Sequence, residues 1–239
     1  MPNICYSSEI YHLDPQDLCV LQDSVYGQDA RIEDEVVILI GDKDCWDKTK
    51  PVVYDTLLKG REAVEKAIAE KIPYIPVRIA FIPTTGKYDF ISPLIRVLRY
   101  KYKAYSSNIY HINPHEIREK KIERSFRTEE NAYQFSNPKY QMPKEQRDKL
   151  YHQLKESMRT NGYDDRFPID IMLCRNLGIQ DTVNQGHHRM SVAIDCNIQR
   201  IAIMFSAAGQ APKFLHPLFR IIARFNLWFK QLFQTRAGS

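Results

Sequence analysis

Asp181-Thr182-Val183-Asn184-Gln185-Gly186-His187-His188-Arg189 is the stretch on which the reading of this chain turns. The run before it, Phe167-Pro168-Ile169-Asp170-Ile171-Met172-Leu173-Cys174, reads as a strand. The run after it, Met190-Ser191-Val192-Ala193-Ile194, reads as a helix, and Ile198 to Phe205 as a second apolar strand. A glycine therefore sits where a strand turns into a helix, and two histidines and an arginine fill the helix's first turn. Backbone N–H groups without intrahelical partners and the positive end of the helix dipole collect at such a point, which suits a phosphate or another anion. Arg189 adds a planar, two-pronged donor and the histidines add titratable ones.

Working outward, the same pattern occurs earlier in the chain. Tyr54-Asp55-Thr56-Leu57-Leu58-Lys59-Gly60 leads into a helical run from Arg61 to Ile68 and then into Ile72-Pro73-Tyr74-Ile75-Pro76-Val77-Arg78-Ile79. At one constant spacing and without gaps, Asp55 falls on Asp181, Thr56 on Thr182, Gly60 on Gly186, Ala67-Ile68 on Ala193-Ile194, and Ile72 and Ile75 on Ile198 and Ile201. A second echo, in the same order, sets Ile10-Tyr11-His12-Leu13-Asp14-Pro15 against Ile109-Tyr110-His111-Ile112-Asn113-Pro114. Asp or Asn as N-cap with Pro at the first helical position starts a helix in both. Each half thus reads as strand, turn-helix, strand, the mark of an internal duplication. The copies differ where chemistry would sit. Arg61-Glu62-Ala63 stands where the second copy has His187-His188-Arg189, and a carboxylate there repels an anion. The first copy reads as a scaffold or partner-binding half, the second as the working half.

The 239 residues suffice for one large domain or two small ones. A net charge of +5 permits contact with nucleic acid or an anionic membrane without demanding either. The five cysteines (Cys5, Cys19, Cys45, Cys174 and Cys196) form no Cys-x-x-Cys pair and read as reduced thiols of a cytoplasmic protein. The N-terminus lacks the basic flank and apolar core of a signal peptide, and no run approaches the roughly 18 apolar residues of a membrane span.

Between the copies, Arg96, Arg99, Lys101 and Lys103 interleave with Tyr100, Tyr102 and Tyr105. That pattern fits either a nucleic-acid contact by stacking and charge or a solvated basic side of an amphipathic element. Residues 118–142 are polar and basic, a lid over the pocket or a surface connection. From Pro143 a helix is expected with Leu150, Leu154 and Met158 as its apolar stripe, ended at Asn161-Gly162. Asn176-Leu177-Gly178 is a hairpin turn. In the tail, small residues 206–212 lead to Pro217 and a last amphipathic helix. Leu218, Ile221, Ile222, Phe225, Trp228, Phe229 and Leu232 share one face of it, and Arg220, Arg224 and Lys230 lie on others. Such a face suits a membrane surface or packing against the body or a second subunit.

Residues 143–205 resemble the ParB/sulfiredoxin (ParB-like nuclease domain) superfamily. The resemblance rests on Leu154-x-x-Ser157-Met158-x-x-x-Gly162, Pro168-Ile169-x-Ile171, Gly186-His187-His188-Arg189-x-x-x-Ala193 and Ile201-x-Ile203. With the strand from Ile109 it covers about 109–206, and the N-terminal half only as a degenerate copy. It implies an α+β fold of two tandem ParB/sulfiredoxin-like units plus a C-terminal amphipathic helix. The segments are a degenerate unit at 1–90, a basic-aromatic connection at 91–108, the unit with the anion loop at 109–206, and linker and helix at 207–239.

Members of that superfamily bind nucleotide phosphates at this turn; they include chromosome-partitioning proteins that bind CTP, sulfiredoxins that use ATP, and free-serine kinases. Here one obvious helix follows Phe205 in place of a helix-turn-helix domain, and His187 stands where sulfiredoxins have a catalytic Cys. Gln185 replaces the kinases' Asp. Pro114-His115-Glu116 resembles the kinases' Pro-Glu arrangement. By resemblance, Glu116 is the candidate general base and His188 a second catalytic candidate. Asn184, Gly186, His187, His188 and Arg189 are the candidate phosphate-binding residues. Adjacent histidines lacking a third ligand at a recognisable spacing do not make a zinc site, so no metal-ligating residue is expected. The expected function is a nucleotide-dependent phosphotransferase (kinase) acting on a small metabolite, sugar or glycan, with a nucleoside triphosphate, ATP foremost, and Mg²⁺ screening the phosphates. The alternative is a non-catalytic, nucleotide-gated or nucleic-acid-binding module. The expected place is the cytoplasm, with peripheral contact at the inner membrane face through 217–234 as one reading of the tail; a homo-oligomer is compatible with the sequence.

Overall fold

The computed structural model describes residues 4–26, 36–41, 51–82, 88–89, 99–100, 104–122, 144–175, 179–207, 217–218 and 221. Most of the segment 118–142 read as a lid or surface connection, the turn at 176–178, most of the basic-aromatic connection and most of the tail helix lie outside the described residues.

The first half runs β1 (Cys5–Leu13), α1 (Pro15–Cys19), β2 (Gln22–Asp23), β3 (Val37–Leu39), β4 (Thr56–Lys59), α2 (Arg61–Ala69) and β5 (Ile75–Phe81). A ribbon of β6 (Tyr88–Asp89) and β7 (Arg99–Tyr100) follows. The second half runs β8 (Ala104–Tyr105), β9 (Tyr110–Ile112), α3 (Pro114–Glu119), α4 (Lys144–Asn161), β10 (Ile169–Leu173), β11 (Thr182–Gln185), α5 (His187–Asp195) and β12 (Ile201–Ala207). The fold is mixed α+β, with two mixed sheets ordered β1-β5-β3-β4-β2 and β11-β10-β12-β8, β9 also pairing with β12. The second sheet takes in Ala104–Tyr105, so its strands start ahead of Ile109, where the sequence echo begins.

The halves repeat one architecture down to the register. Leu13 pairs with Ile75 as Ile112 pairs with Ile201, and Tyr6 pairs with Ala80 as Tyr105 pairs with Ser206. The irregularity between Tyr6 and Ile10 in β1 becomes the break between β8 and β9. Ile38 pairs with Leu57 and Ile171 with Val183, each beside a register shift at the same place. Local chemistry explains the repeat. Asp14 accepts from the Gln16 N–H at 2.9 Å and Asn113 from the His115 N–H at 3.0 Å, so both short helices start on the same cap with Pro in the first turn. Helices α2 and α5 each begin after a left-handed glycine, Gly60 (φ 100°) and Gly186 (φ 94°). They end alike too: the Ile72 N–H reaches the Ala67 carbonyl and the Ile198 N–H the Ala193 carbonyl, both at 2.9 Å, with Lys71 and Asn197 left-handed between them.

Two buried carboxylates join the halves reciprocally. Asp181 Oδ2 accepts from the Ser8 N–H at 2.9 Å and the Tyr11 hydroxyl at 3.1 Å, both in the first half, while its Oδ1 accepts from the Cys174 N–H at 3.0 Å. Asp55 does the same in the other direction. It accepts from the Ser107 N–H at 2.9 Å, the Asn108 N–H at 3.0 Å and the Tyr110 hydroxyl at 2.7 Å, and from its own half's Gly41 N–H at 2.7 Å. Ser8 and Ser107 accept the aspartates' own N–H groups through Oγ. Such a contact, in which the same patch meets itself, is the isologous pattern of a two-fold dimer, here within one chain. Phe205 packs between the two tyrosines, its ring centroid 5.1 Å from Tyr11 and 5.7 Å from Tyr110, and one apolar core runs through both halves.

Helix α4 departs from its expected stripe. Tyr151 and Met158 are buried and Leu154 packs on the core, whereas Leu150 is 37% exposed. The seam is Tyr151, Leu154, Met158, because the Tyr151 hydroxyl also donates to the Asp195 carboxylate on α5, which fixes the helix's rotation.

Asp55→Ala or Asp181→Ala leaves several buried donors unmet, each costing on the order of 1–3 kcal/mol. Urea melts should show each variant at least ~3 kcal/mol less stable than the parent, with both halves unfolding together. A loss below about 1 kcal/mol would contradict the clamp.

Candidate functional site

The turn from Asn184 to Arg189 lies at the end of β11 and the start of α5. Gly186 is needed twice over. Its φ of 94° is one that side chains resist, and a Cβ there would stand 2.9 Å from Ile169 Cγ1 and 3.2 Å from Ile169 Cα. The close approach of turn and β10 seats the helix start on the sheet. No side chain caps α5 and no acidic residue lies in its first turn. In α2 the counterparts are differently employed. Glu62 sits in the first turn, and Arg61, the counterpart of His187, donates to the carbonyls of Cys19 (3.1 Å) and Leu21 (2.5 Å) and to Asp23 (2.8 Å). Neither helix start has a side-chain cap, but at α2 Arg61 is turned to the end of α1 and Glu62 stands in the first turn, whereas the start of α5 carries His187, His188 and Arg189, all half-buried.

Arg189 is turned toward the chain that follows α4. It donates to the Phe167 carbonyl, and its guanidinium stands 5.9 Å from the Phe167 ring centroid. The Tyr163 hydroxyl meets the same carbonyl at 2.8 Å. Burial pushes the Tyr163 phenol up to about 12, against the opposing charge of Arg189. Arg189 therefore pins the 163–167 segment beside the turn.

Beneath the turn lies a polar trio absent from the sequence reading. Asp170, buried in β10, accepts from Asn184 Nδ2 and from Ser206 Oγ, each at 2.5 Å. The equivalent places in the first half hold Val37, Leu58 and Ala80, part of a small apolar cluster. The signal was present as an aspartate between Ile169 and Ile171 in an apolar run. Asn184 is thus oriented by Asp170.

Glu116 is not gathered at the turn. Its helix α3 packs against α5, but its carboxylate accepts from the His12 N–H at 3.0 Å, meets His12 Nδ1 at 3.1 Å and pairs with Lys120 at 3.3 Å. Asp17 makes the same clasp in the opposite direction, accepting from the His111 N–H at 2.6 Å and meeting His111 Nδ1 at 3.0 Å. The duplication therefore assigns Glu116 a structural task, holding its helix to the other half's first strand. His111 Nε2 also meets Asp165 at 3.1 Å, and Asp165 lies 4.0 Å from Arg200. Burial works against the charged imidazole, yet the bonds and charge of Asp17, helped by Asp165, outweigh it and hold His111 above its ordinary value.

Among the described residues no three His, Cys, Asp or Glu side chains gather as a metal-binding group, and no helix is long and apolar enough to cross a membrane. No family model, curated protein or solved structure matches the chain.

Gly186→Ala should destabilise by roughly 2 kcal/mol or more, since strain at positive φ and the clash with Ile169 add; a denaturant midpoint equal to the parent's would disprove the close approach. The raised His111 value means that its charge stabilises fully below the unfolded imidazole value, about 6.5, and that this stabilisation fades as pH rises through the folded one. The stability gap between the parent and His111→Gln should accordingly be widest near pH 6 and shrink toward pH 8; a gap constant with pH would contradict the clasp.

Proposed function

We propose that the second half is a ParB/sulfiredoxin-like unit that seats the phosphates of a nucleoside triphosphate at 184–189, and that the protein is a phosphotransferase acting on a small metabolite, sugar or glycan. One observation carries the reading. Two helices start on left-handed glycines in the same register, yet only α5 lacks an acidic first turn and presents His187 and His188 in place of an arginine already bound to neighbouring carbonyls. The N–H groups of a helix start, the helix dipole and imidazole donors suit a triphosphate. ATP with Mg²⁺ is the expected ligand, the metal neutralising phosphate charge as it does in phosphoryl transfer generally. The residues present fit the phosphates: Gly186 brings the backbone close, Asn184 is held in place by Asp170, and Arg189 keeps the adjacent segment beside the turn. Degeneration of the first half leaves it as scaffold. The cytoplasm, at or near its membrane face, is where such a substrate would be met.

A second reading, a non-catalytic nucleotide-gated module, is favoured by the occupied carboxylate of Glu116 and by Gln185 in the kinases' Asp position. In that reading the nucleotide stabilises a conformation without losing its terminal phosphate.

Thermal melting with Mg²⁺ and ATP, ADP, CTP or GTP is the discriminating experiment. A ligand at a hundred times its Kd adds about 2.7 kcal/mol to stability, or roughly 5–10 °C for a chain of this size. The shift should appear with a triphosphate and fall by more than half in His188→Ala. ADP release that requires an added hydroxyl acceptor would then mark a kinase; a shift without turnover would mark the gated module. No shift with any nucleotide in a cooperatively melting protein would refute both.

A further inference from the structure

The two clasps between the halves differ in one respect. His12, on β1, meets the carboxylate of Glu116 through Nδ1, and its ring is half-exposed. His111, its counterpart on β9, is buried and held at both ring nitrogens. Its Nδ1 meets Asp17 at 3.0 Å and its Nε2 meets Asp165 at 3.1 Å. A neutral imidazole carries one N–H and one lone pair, so only the imidazolium donates to both carboxylates. Asp165 comes from the segment 163–167 between α4 and β10, whose Phe167 carbonyl receives Arg189 and the Tyr163 hydroxyl. The His111 ring thus ties the segment that flanks the 184–189 turn to α1 of the other half.

We infer that the proton on His111 is a latch: the imidazolium fastens Asp165, and with it the 163–167 segment, against β9 and α1, and loss of that proton as pH rises frees the segment from this anchorage. Geometry decides which carboxylate lets go. Asp17 is held by the His111 backbone N–H as well, at 2.6 Å, and its side chain is 12% exposed. The proton that remains therefore stays on Nδ1. The Nε2 lone pair then faces Asp165, whose side chain is 51% exposed and can turn to water. The charged groups around the ring favour the imidazolium. Asp17 lies on α1, Asp165 on the segment, and Asp14 at the N-cap of α1, where its N–H donates to the His111 carbonyl at 3.1 Å. Against these carboxylates stands Arg200, ahead of β12, 3.3 Å from Asp14 and 4.0 Å from Asp165. Asp164 and Arg166 pair with each other at 2.7 Å. Tyr74, whose hydroxyl donates to the Gln199 carbonyl, is pushed up by burial and stays neutral. Burial opposes charge on His111, but the bonds and charge of Asp17 and then the bond of Asp165 overcome it, so the folded value lies above the ordinary one. The latched state binds the proton more tightly than the released one. It is therefore closed below the ordinary imidazole value and opens as pH rises through the folded value.

Hydrogen–deuterium exchange of the full chain, followed by mass spectrometry from about pH 6 to about pH 8.5 and divided by the intrinsic rate at each pH, tests the latch. In the parent, exchange across 163–167 should rise roughly fivefold over this range, the scale of a half-exposed charge pair, while exchange across α2 stays level. Asp165→Asn accepts from the imidazolium through its oxygen and donates to the neutral ring through its amide, so its segment should stay slow throughout. Asp165→Ala offers neither bond and should exchange at the fast rate at every pH. The Asp165 side chain is half-exposed, so both variants keep the fold. The His111 ring, followed by the NMR signal of its Cε1 proton, should titrate at lower pH in Asp165→Ala than in the parent. A level profile in the parent, a rise shared by α2, or an unchanged His111 midpoint in Asp165→Ala overturns the inference. A rise that persists in Asp165→Asn overturns it too and passes the pH dependence to His187 or His188.

Discussion

Two aspartates buried at the junction of the halves hold the rest in place. Asp181 and Asp55 are each nearly inaccessible, and each gathers donors from the opposite half. A carboxylate in such a place is costly unless hydrogen bonds replace its water. Burial still pushes the Asp181 carboxyl up despite the bonds from Cys174, Tyr11, Glu9 and Ser8 that pull it down. Burial, and after it the neighbouring aspartate, also drives the Tyr11 and Tyr110 phenols well above their ordinary values, so both stay protonated donors. Neither half can satisfy its aspartate alone. Separating them would bury an uncompensated carboxylate or expose Phe205 and the core around it, and that couples the halves into one folding unit.

A symmetric scaffold of this kind allows one copy to change without loss of the fold. Around the equivalent turns the first half is self-sufficient: Arg61 closes the end of α1, Glu62 complements the dipole of α2, and Val37, Leu58 and Ala80 make an apolar patch. At the same places the second half carries His187, His188, and the Asp170, Asn184, Ser206 trio. Around these two turns a buried polar trio occurs in the second half where the first half has apolar side chains, and the proposed phosphate site rests on this asymmetry more than on any single residue of the turn.

Much of this was legible in the residues. The gapless echo from Asp55 to Ile75 against Asp181 to Ile201 placed β4, α2 and the start of β5 on β11, α5 and the start of β12. The Asp-Pro and Asn-Pro pairs located two helix starts, and Gly60 and Gly186 marked the left-handed positions. Because Asp181 recurs as Asp55, a structural task could be expected for it, though not the partners it would find. Less was legible about Glu116. Its place after a Pro suggests a base by resemblance, while the clasp on His12 depends on how the two halves face each other. Leu150 fits a helical stripe as well as Tyr151 does by spacing alone; only Asp195 on the neighbouring helix selects between them.

By itself the sequence determined the local elements, their caps, the duplication and the anion-compatible start of α5, because these depend on neighbours a few positions away along the chain or on a repeat at constant spacing. Tertiary structure alone decided that the copies embrace each other through Asp55 and Asp181, that Arg189 turns to Phe167 and Tyr163, and that Asn184 answers to Asp170. These contacts join residues brought together only by the packing of one half on the other, or of a helix on its sheet. No periodicity along a single segment encodes which partner lies across such an interface.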